Sequence, residues 1–175
     1  MISQKIDQIV REVPDFPKSG INFKDITSLL LDSDLSTEIV DSFIERLEGK
    51  IIDAVVGIES RGFLYGFLLA NKLGVPFIPV RKVGKLPGDT LKYKYDLEYG
   101  SSEVEIHKSD IKKGWNVVIH DDLIATGGTA CAASEMIFQL GAKVTAFTFV
   151  ISLDFLNGKE KLNKYSKNII SLKKY

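Results

Sequence analysis

The chain has 175 residues, 45% of them apolar and 26% charged, with 23 basic side chains balancing 23 acidic ones. That length and composition fit one soluble globular domain and exclude a disordered chain. A formal net charge of zero argues against a general nucleic-acid binder, though not against a local anion site. Cys131 is the single cysteine, so no disulfide can form within the chain and no cysteine cluster suggests zinc. Residues 1–5 lead into charged sequence without a signal-peptide apolar core, and no apolar run is long enough to span a bilayer. These features point to a reducing, cytoplasmic setting without a membrane.

Ser3 can cap a short helix carrying Ile6, Ile9, Val10 and Val13, which Pro14 ends. A loop follows over 15–20, then an extended piece over 21–26. Asp34 or Ser36 can start a second helix whose apolar face is Ile39, Val40, Phe43, Ile44 and Leu47, with Gly49 just past its end. Ala54–Ile58 is a short β-rich apolar run that reads as a buried strand. Gly62–Leu73 reads as a helix stopped by Gly74, and 75–80 as the next strand. The pattern repeats with a strand over 116–120, a helix over 129–140 and a strand over Lys143–Ser152.

Such alternation predicts an α/β fold with a mostly parallel sheet flanked by helices. Sheets of this kind bind ligands beyond the carboxyl ends of their strands. The loops after Ile58, Val80 and His120 therefore become site walls together. One segment breaks the pattern. Leu91, Tyr93, Tyr95, Leu97 and Tyr99 alternate with polar residues, a turn is possible at 100–102, and Val104 and Ile106 alternate again. This predicts a β-hairpin placed to act as a lid.

The most informative stretch runs Val117-Val-Ile-His-Asp-Asp-Leu-Ile-Ala-Thr-Gly-Gly-Thr129. Ala125, Thr126, Gly127 and Gly128 let backbone approach a ligand closely. The helix after them begins near Thr129 with unpaired N–H groups and a positive dipole end, which favour a phosphate. The hydroxyls of Thr126 and Thr129 add donors. Asp121 and Asp122 would repel that phosphate but can accept hydrogen bonds from hydroxyls. A ribose 5-phosphate offers both halves, an anion for the loop and a diol for the carboxylates. The stretch lacks the Gly-Lys-Ser/Thr ending of an ATP-type loop.

Residues 117–129 resemble the 5-phosphoribosyl-1-pyrophosphate (PRPP) motif of the type I phosphoribosyltransferases. The segments beginning Gly20-Ile-Asn-Phe-Lys-Asp, Gly57-Ile-Glu-Ser-Arg-Gly-Phe, Val80-Arg-Lys-Val-Gly-Lys-Leu-Pro-Gly and Leu97-Glu-Tyr-Gly narrow the resemblance to the adenine phosphoribosyltransferase branch, over nearly the whole chain. The resemblance implies a single domain over 1–175, with an N-terminal hood over about 1–35 and a flexible lid hairpin over about 86–108. It also implies a homodimer and a magnesium-assisted reaction, the Mg²⁺ held mainly by PRPP and water rather than by the protein. In that reaction adenine N9 attacks ribose C1, pyrophosphate leaves and AMP forms, as in purine salvage.

Carried over position by position, the resemblance puts Asp121, Asp122, Ala125, Thr126, Gly127, Gly128 and Thr129 on the ribose 5-phosphate. Ser60, Arg61, Arg81, Lys82 and Lys85 fall on the pyrophosphate, where Arg can fork onto phosphate oxygens and Lys supplies a mobile charge. Glu98 handles the proton on the base, and Arg61 joins it as a catalytic residue. Ile21, Asn22, Phe23 and Lys24 form the adenine pocket, with Phe23 offering an aromatic face and the backbone reading the purine edge.

Four positions depart from the family pattern. Asn22 and Lys24 leave side-chain contacts with the base open, and Val83 shifts weight in pyrophosphate binding to Lys85. His120 stands where an aliphatic residue is usual and reads as structural. Cys131 reads as a buried thiol, His107 as a surface hairpin residue, and the lysines between 159 and 174 as a solvated face. Two other readings fit the motif. One is a PRPP-sensing regulatory protein without catalysis, which would not need Glu98 or the basic cluster. The other is a transferase for another purine such as xanthine, which would need a different pocket around 22–24.

Overall fold

The computed structural model describes residues 1–16, 18–96 and 100–175. Helix α1 (Ile2–Ile9) is followed by two short antiparallel strands, β1 (Arg11–Val13) and β2 (Phe23–Asp25). The first helix therefore stops before Val10, and Val13 pairs with Phe23 instead of extending the helical face. A 3₁₀ turn over Ile26–Leu31 leads into α2 (Ser33–Arg46). The cap of α2 is Asp32, whose Oδ1 accepts the Leu35 N–H at 2.9 Å, two residues before Asp34 and four before Ser36, the starts expected from the sequence. Next come β3 (Ala54–Ile58), α3 (Gly62–Leu73), β4 (Phe77–Lys82), β5 (Thr90–Asp96), β6 (Ser101–His107), β7 (Asn116–Ile124), α4 (Gly128–Gln139), β8 (Lys143–Ser152), α5 (Gly158–Leu162) and β9 (Ile169–Lys174).

Seven strands form the main sheet in the order β5-β6-β4-β3-β7-β8-β9. The five from β4 to β9 run parallel, while β5 and β6 are antiparallel additions at one edge. The fold is thus the mostly parallel, helix-flanked sheet expected from the alternation. The hairpin is anchored in this sheet: Arg81 of β4 stands opposite Glu105 of β6, and Lys82 opposite Val104. Two elements differ from the sequence reading. β7 continues past His120 through both aspartates to Ile124, paired with β8 as far as Ser152. The lysine-rich end that read as a solvated face is in part β9, which lies parallel to β8 and buries Leu172.

Successive residues of a strand face opposite ways, so both faces of the central strands need apolar cover. Val117, Ile119, Phe147 and Phe149 pack with Ala133, Met136 and Ile137 of α4. Val55, Val118, Ala146 and Val150 pack on the other face with Ile6, Phe43, Tyr65 and Leu69 of the first three helices. A 14-residue helix such as α2 is marginal by itself. Burying Leu35, Ile39, Val40 and Phe43 contributes roughly 6–12 kcal/mol before entropy, which is what holds it in place. Among the described residues, no helix is long and apolar enough to cross a membrane.

Candidate active site

The carboxyl ends of β3, β4 and β7 meet at one edge of the sheet. After β7, residues 125–127 form a short loop, and α4 starts at Gly128 with Gly127 in the left-handed region (φ +78°) and no side-chain cap. The first N–H groups of α4 are thereby left for a ligand. A hollow of about 120 Å³ lies against this turn, lined by Ala125, Thr126, Gly127, Gly128 and Thr129 together with Asp121. All five loop residues singled out in the sequence converge there. Larger hollows occur elsewhere, as between α4 and Tyr165 (about 440 Å³). Volume therefore does not locate the site; the uncapped start of α4, the small residues before it and the adjoining Asp121 do.

The loop is held from behind. A Cβ placed on Gly158 would stand 2.1 Å from the Ala125 carbonyl oxygen and 2.9 Å from the Gly127 nitrogen. Only glycine permits this contact between the start of α5 and the phosphate loop.

The two aspartates have separate situations. Asp122 is almost wholly buried and forms an ion pair with Arg61, Oδ2 to Nε at 2.9 Å. Asp121 is partly exposed and lines both the loop hollow and an adjoining one of about 110 Å³ that also touches Glu59, Lys82, Tyr95 and Thr129. Burial first, then the neighbouring Asp122 charge, pushes the Asp121 carboxyl well above the usual aspartate range. Gly62 lets α3 come this near, since a Cβ there would lie 2.8 Å from Asp121 Oδ1. Of the pair expected to hold a diol, only Asp121 is turned to the hollows.

Arg61 follows β3 and also lies 5.1 Å from the ring centre of Phe23. It therefore links β2 to β7. Phe23 meets Phe16 edge-on at 5.2 Å, an aromatic neighbour that sequence reasoning passed over as loop. The side chains of Asn22 and Lys24 both turn to Glu12, and Lys24 also sits over the Tyr175 ring. What these two positions can offer a ligand is thus their backbone. Ile21 is exposed.

Arg81 and Lys82 end β4 instead of following it. Arg81 is engaged by Glu59, Nε to Oε2 at 3.2 Å, and the Glu59 carboxylate also accepts the Lys82 N–H at 2.8 Å. Partial burial alone would raise the Glu59 pKa. The Arg81 hydrogen bonds, the Lys82 N–H and the nearby charges outweigh it and lower that pKa. Ser60 and the side chains of Lys82 and Lys85 are exposed.

Glu105 is only 1% exposed. It accepts the N–H groups of Lys85 and Leu86, both at 2.9 Å, and the Thr90 hydroxyl at 3.1 Å. Burial would raise its pKa, but these donors together lower it. His107 helps by bonding the Pro87 carbonyl at 2.7 Å. Glu59 and Glu105 carried no sequence signal as site residues, because their partners lie in other strands. Glu98, the expected proton handler, falls outside the described residues, as do Leu97, Tyr99 and Pro17.

His120, on β7, is fully buried, with Nδ1 2.9 Å from Thr148 Oγ1 and the Phe43 ring 5.4 Å away. Burial pushes its pKa down to about 3, so the ring is neutral near pH 7. Cys131 is half-buried instead of fully buried, and that burial raises its thiol pKa.

Residues 28–174 match the family model described as "Phosphoribosyl transferase domain". The adenine phosphoribosyltransferase of Clostridium tetani is 51% identical over 166 residues, covering 95% of each chain. The crystal structure of the adenine phosphoribosyltransferase from Thermoanaerobacter pseudethanolicus matches all of both chains at 47% identity, with a TM-score of 0.95. The Saccharomyces cerevisiae enzyme, solved with adenine and an imino-altritol bisphosphate, matches 98% of both chains at 44% identity and a TM-score of 0.92.

Proposed function

The chain belongs to the adenine phosphoribosyltransferases within the phosphoribosyl transferase family, and from that premise we propose how its residues transfer the 5-phosphoribosyl group from PRPP to N9 of adenine. The observation that carries the reading is the meeting, at one sheet edge, of an uncapped helix start, Asp121 and the basic ends of β3 and β4. The N–H groups and hydroxyls of 125–129 grip the 5-phosphate. Asp121 bonds the ribose hydroxyls, and Asp122 acts through Arg61. Phe23 and the backbone of 21–24 hold adenine, as the yeast relative's complex with adenine supports.

As the bond from C1 to pyrophosphate breaks, the new bond to N9 forms. Arg81, Lys82 and Lys85 then take up the departing charge. Glu98 is the proposed acceptor of the imidazole-ring proton of adenine. Magnesium belongs to this proposal as part of the substrate, carried by PRPP oxygens and water. The chain's own carboxylates suit that arrangement: Asp122 is paired with Arg61, and Asp121 is proposed for the ribose hydroxyls. Because PRPP is highly charged and does not cross bilayers, the reaction is placed in the cytoplasm, which cell fractionation checks.

The test is release of pyrophosphate and formation of AMP from PRPP and magnesium with adenine, hypoxanthine, guanine or xanthine. Release with adenine alone is expected. Release with none would favour a PRPP-sensing protein, and release with xanthine but not adenine would overturn the pocket assignment. A homodimer is proposed through α3, which exposes Leu64, Phe67 and Leu68 directly after the Arg61 loop. Sedimentation should then report twice the chain mass of 19.5 kDa.

Glu105 serves the pyrophosphate half without touching it. Glu105→Gln replaces an acceptor of three donors by an amide that can satisfy fewer of them. The expected result is a KM for pyrophosphate in the reverse reaction raised about tenfold, with AMP affinity changed far less, since the phosphate loop is separately supported. Equal losses for both ligands in steady-state kinetics and calorimetry would contradict the division.

A further inference from the structure

We propose that Tyr95 is a positioning residue for the phosphate loop: its phenolic O–H donates to Thr129 Oγ1 and so turns the threonine hydrogen towards the 5-phosphate. The proposal rests on the PRPP and AMP reading of the site and adds a residue that the reading did not include. Tyr95 lies on β5, and its hydroxyl is 2.9 Å from Thr129 Oγ1. Its ring covers the first residue of α4, because a Cβ on Gly128 would meet ring atoms at 3.5 and 3.6 Å. It also closes one side of the hollow shared by Glu59, Lys82, Asp121 and Thr129.

The direction of the bond follows from counting hydrogens. Each hydroxyl has one hydrogen and lone pairs to accept another. Without a ligand, either oxygen can donate to the other. An anion against the helix start takes the Thr129 hydrogen, and Oγ1 can then only accept from Tyr95. The phenol is the more acidic hydroxyl and the better donor. A chain from Tyr95 to Thr129 to phosphate polarises along its length, which strengthens the bond to the charged oxygen. The same bond ties the edge strand of the hairpin to the loop, so the roof of the site forms together with the phosphate grip.

The experiment compares wild type, Tyr95→Phe, Thr129→Val and the double variant. Calorimetry gives AMP affinity, steady-state kinetics gives KM and kcat, and thermal melting gives Tm. Tyr95→Phe keeps the ring and should weaken AMP about fivefold to tenfold and raise the KM for PRPP alike. Its kcat, adenine KM and Tm should change far less. Thr129→Val should weaken AMP about tenfold or more, and the double variant no further than Thr129→Val alone, because the two hydroxyls act as one unit. Additive losses, unchanged AMP affinity in Tyr95→Phe, or a uniform loss of Tm, kcat and both KM values would each overturn the role of Tyr95. If wild type itself neither binds AMP nor releases pyrophosphate from PRPP and adenine, the underlying site reading fails instead.

Discussion

Replacing Gly158 by alanine should weaken AMP binding about a hundredfold, because misaligning even one or two loop N–H bonds to the charged phosphate forfeits roughly 1.5–3 kcal/mol each. The added methyl would meet Ala125 O at 2.1 Å and Thr126 C at 2.9 Å. These are backbone atoms with no rotamer to escape into, so the loop itself must move. The contact is reciprocal: a Cβ on Gly127 would stand 2.6 Å from the Gly158 carbonyl oxygen. Displacement would spoil the aim of the α4 N–H groups, on which the phosphate depends. The KM for pyrophosphate in the reverse reaction should change far less, since Glu105 holds that half separately. Calorimetry with AMP, with circular dichroism to verify folding, measures this. AMP affinity within threefold of wild type would show that the α5 start does not shape the loop.

Arg61→Ala should produce the second large effect, on stability and catalysis together. Asp122 has a side chain only 6% exposed, and Arg61, at 35%, is its ion-pair partner. Removing the cation strands a buried charge. That would cost 3–5 kcal/mol for a fully buried pair, and solvent screening of the Arg61 side reduces it to about 2–3 kcal/mol. The turnover parameter kcat/KM should fall about a hundredfold or more, because Arg61 also meets Phe23 in the segment proposed for the base and is proposed to face the leaving group. The double variant Arg61→Ala with Asp122→Asn separates the two effects. Neutralising Asp122 should restore most of the stability in urea denaturation, while activity stays low. Recovery of both would mean that Arg61 acts only by neutralising Asp122.

Much of the frame could be read from the chain itself. Ala54–Ile58 and Lys143–Ser152 are apolar runs of strand length, and the helices between strands carry apolar faces with glycine stops at Gly74 and Gly141. The loop proposed for the phosphate was legible for the same reason: its small residues, its hydroxyls and the helix start after it are neighbours in sequence. Less legible were boundaries set by pairing. β7 runs on through the aspartates because β8 offers partners as far as Ser152. β9 escaped because its alternating lysines match a solvated face until β8 lies alongside.

By itself, then, the order of residues determined the alternating architecture and the small-residue turn into α4 proposed to bind an anion, since each depends on contacts within a few positions of the chain. Tertiary structure decided which groups are free to act. It turned Asp122 inward to Arg61, directed Asn22 and Lys24 to Glu12, and set Glu105 beneath Lys85. It also brought Gly158 and Tyr95 against the phosphate loop. These partners are 10 to 61 residues apart, as in Asn22 with Glu12 and Asp122 with Arg61. No local periodicity encodes such a pairing; packing of the sheet and its helices brings the partners together.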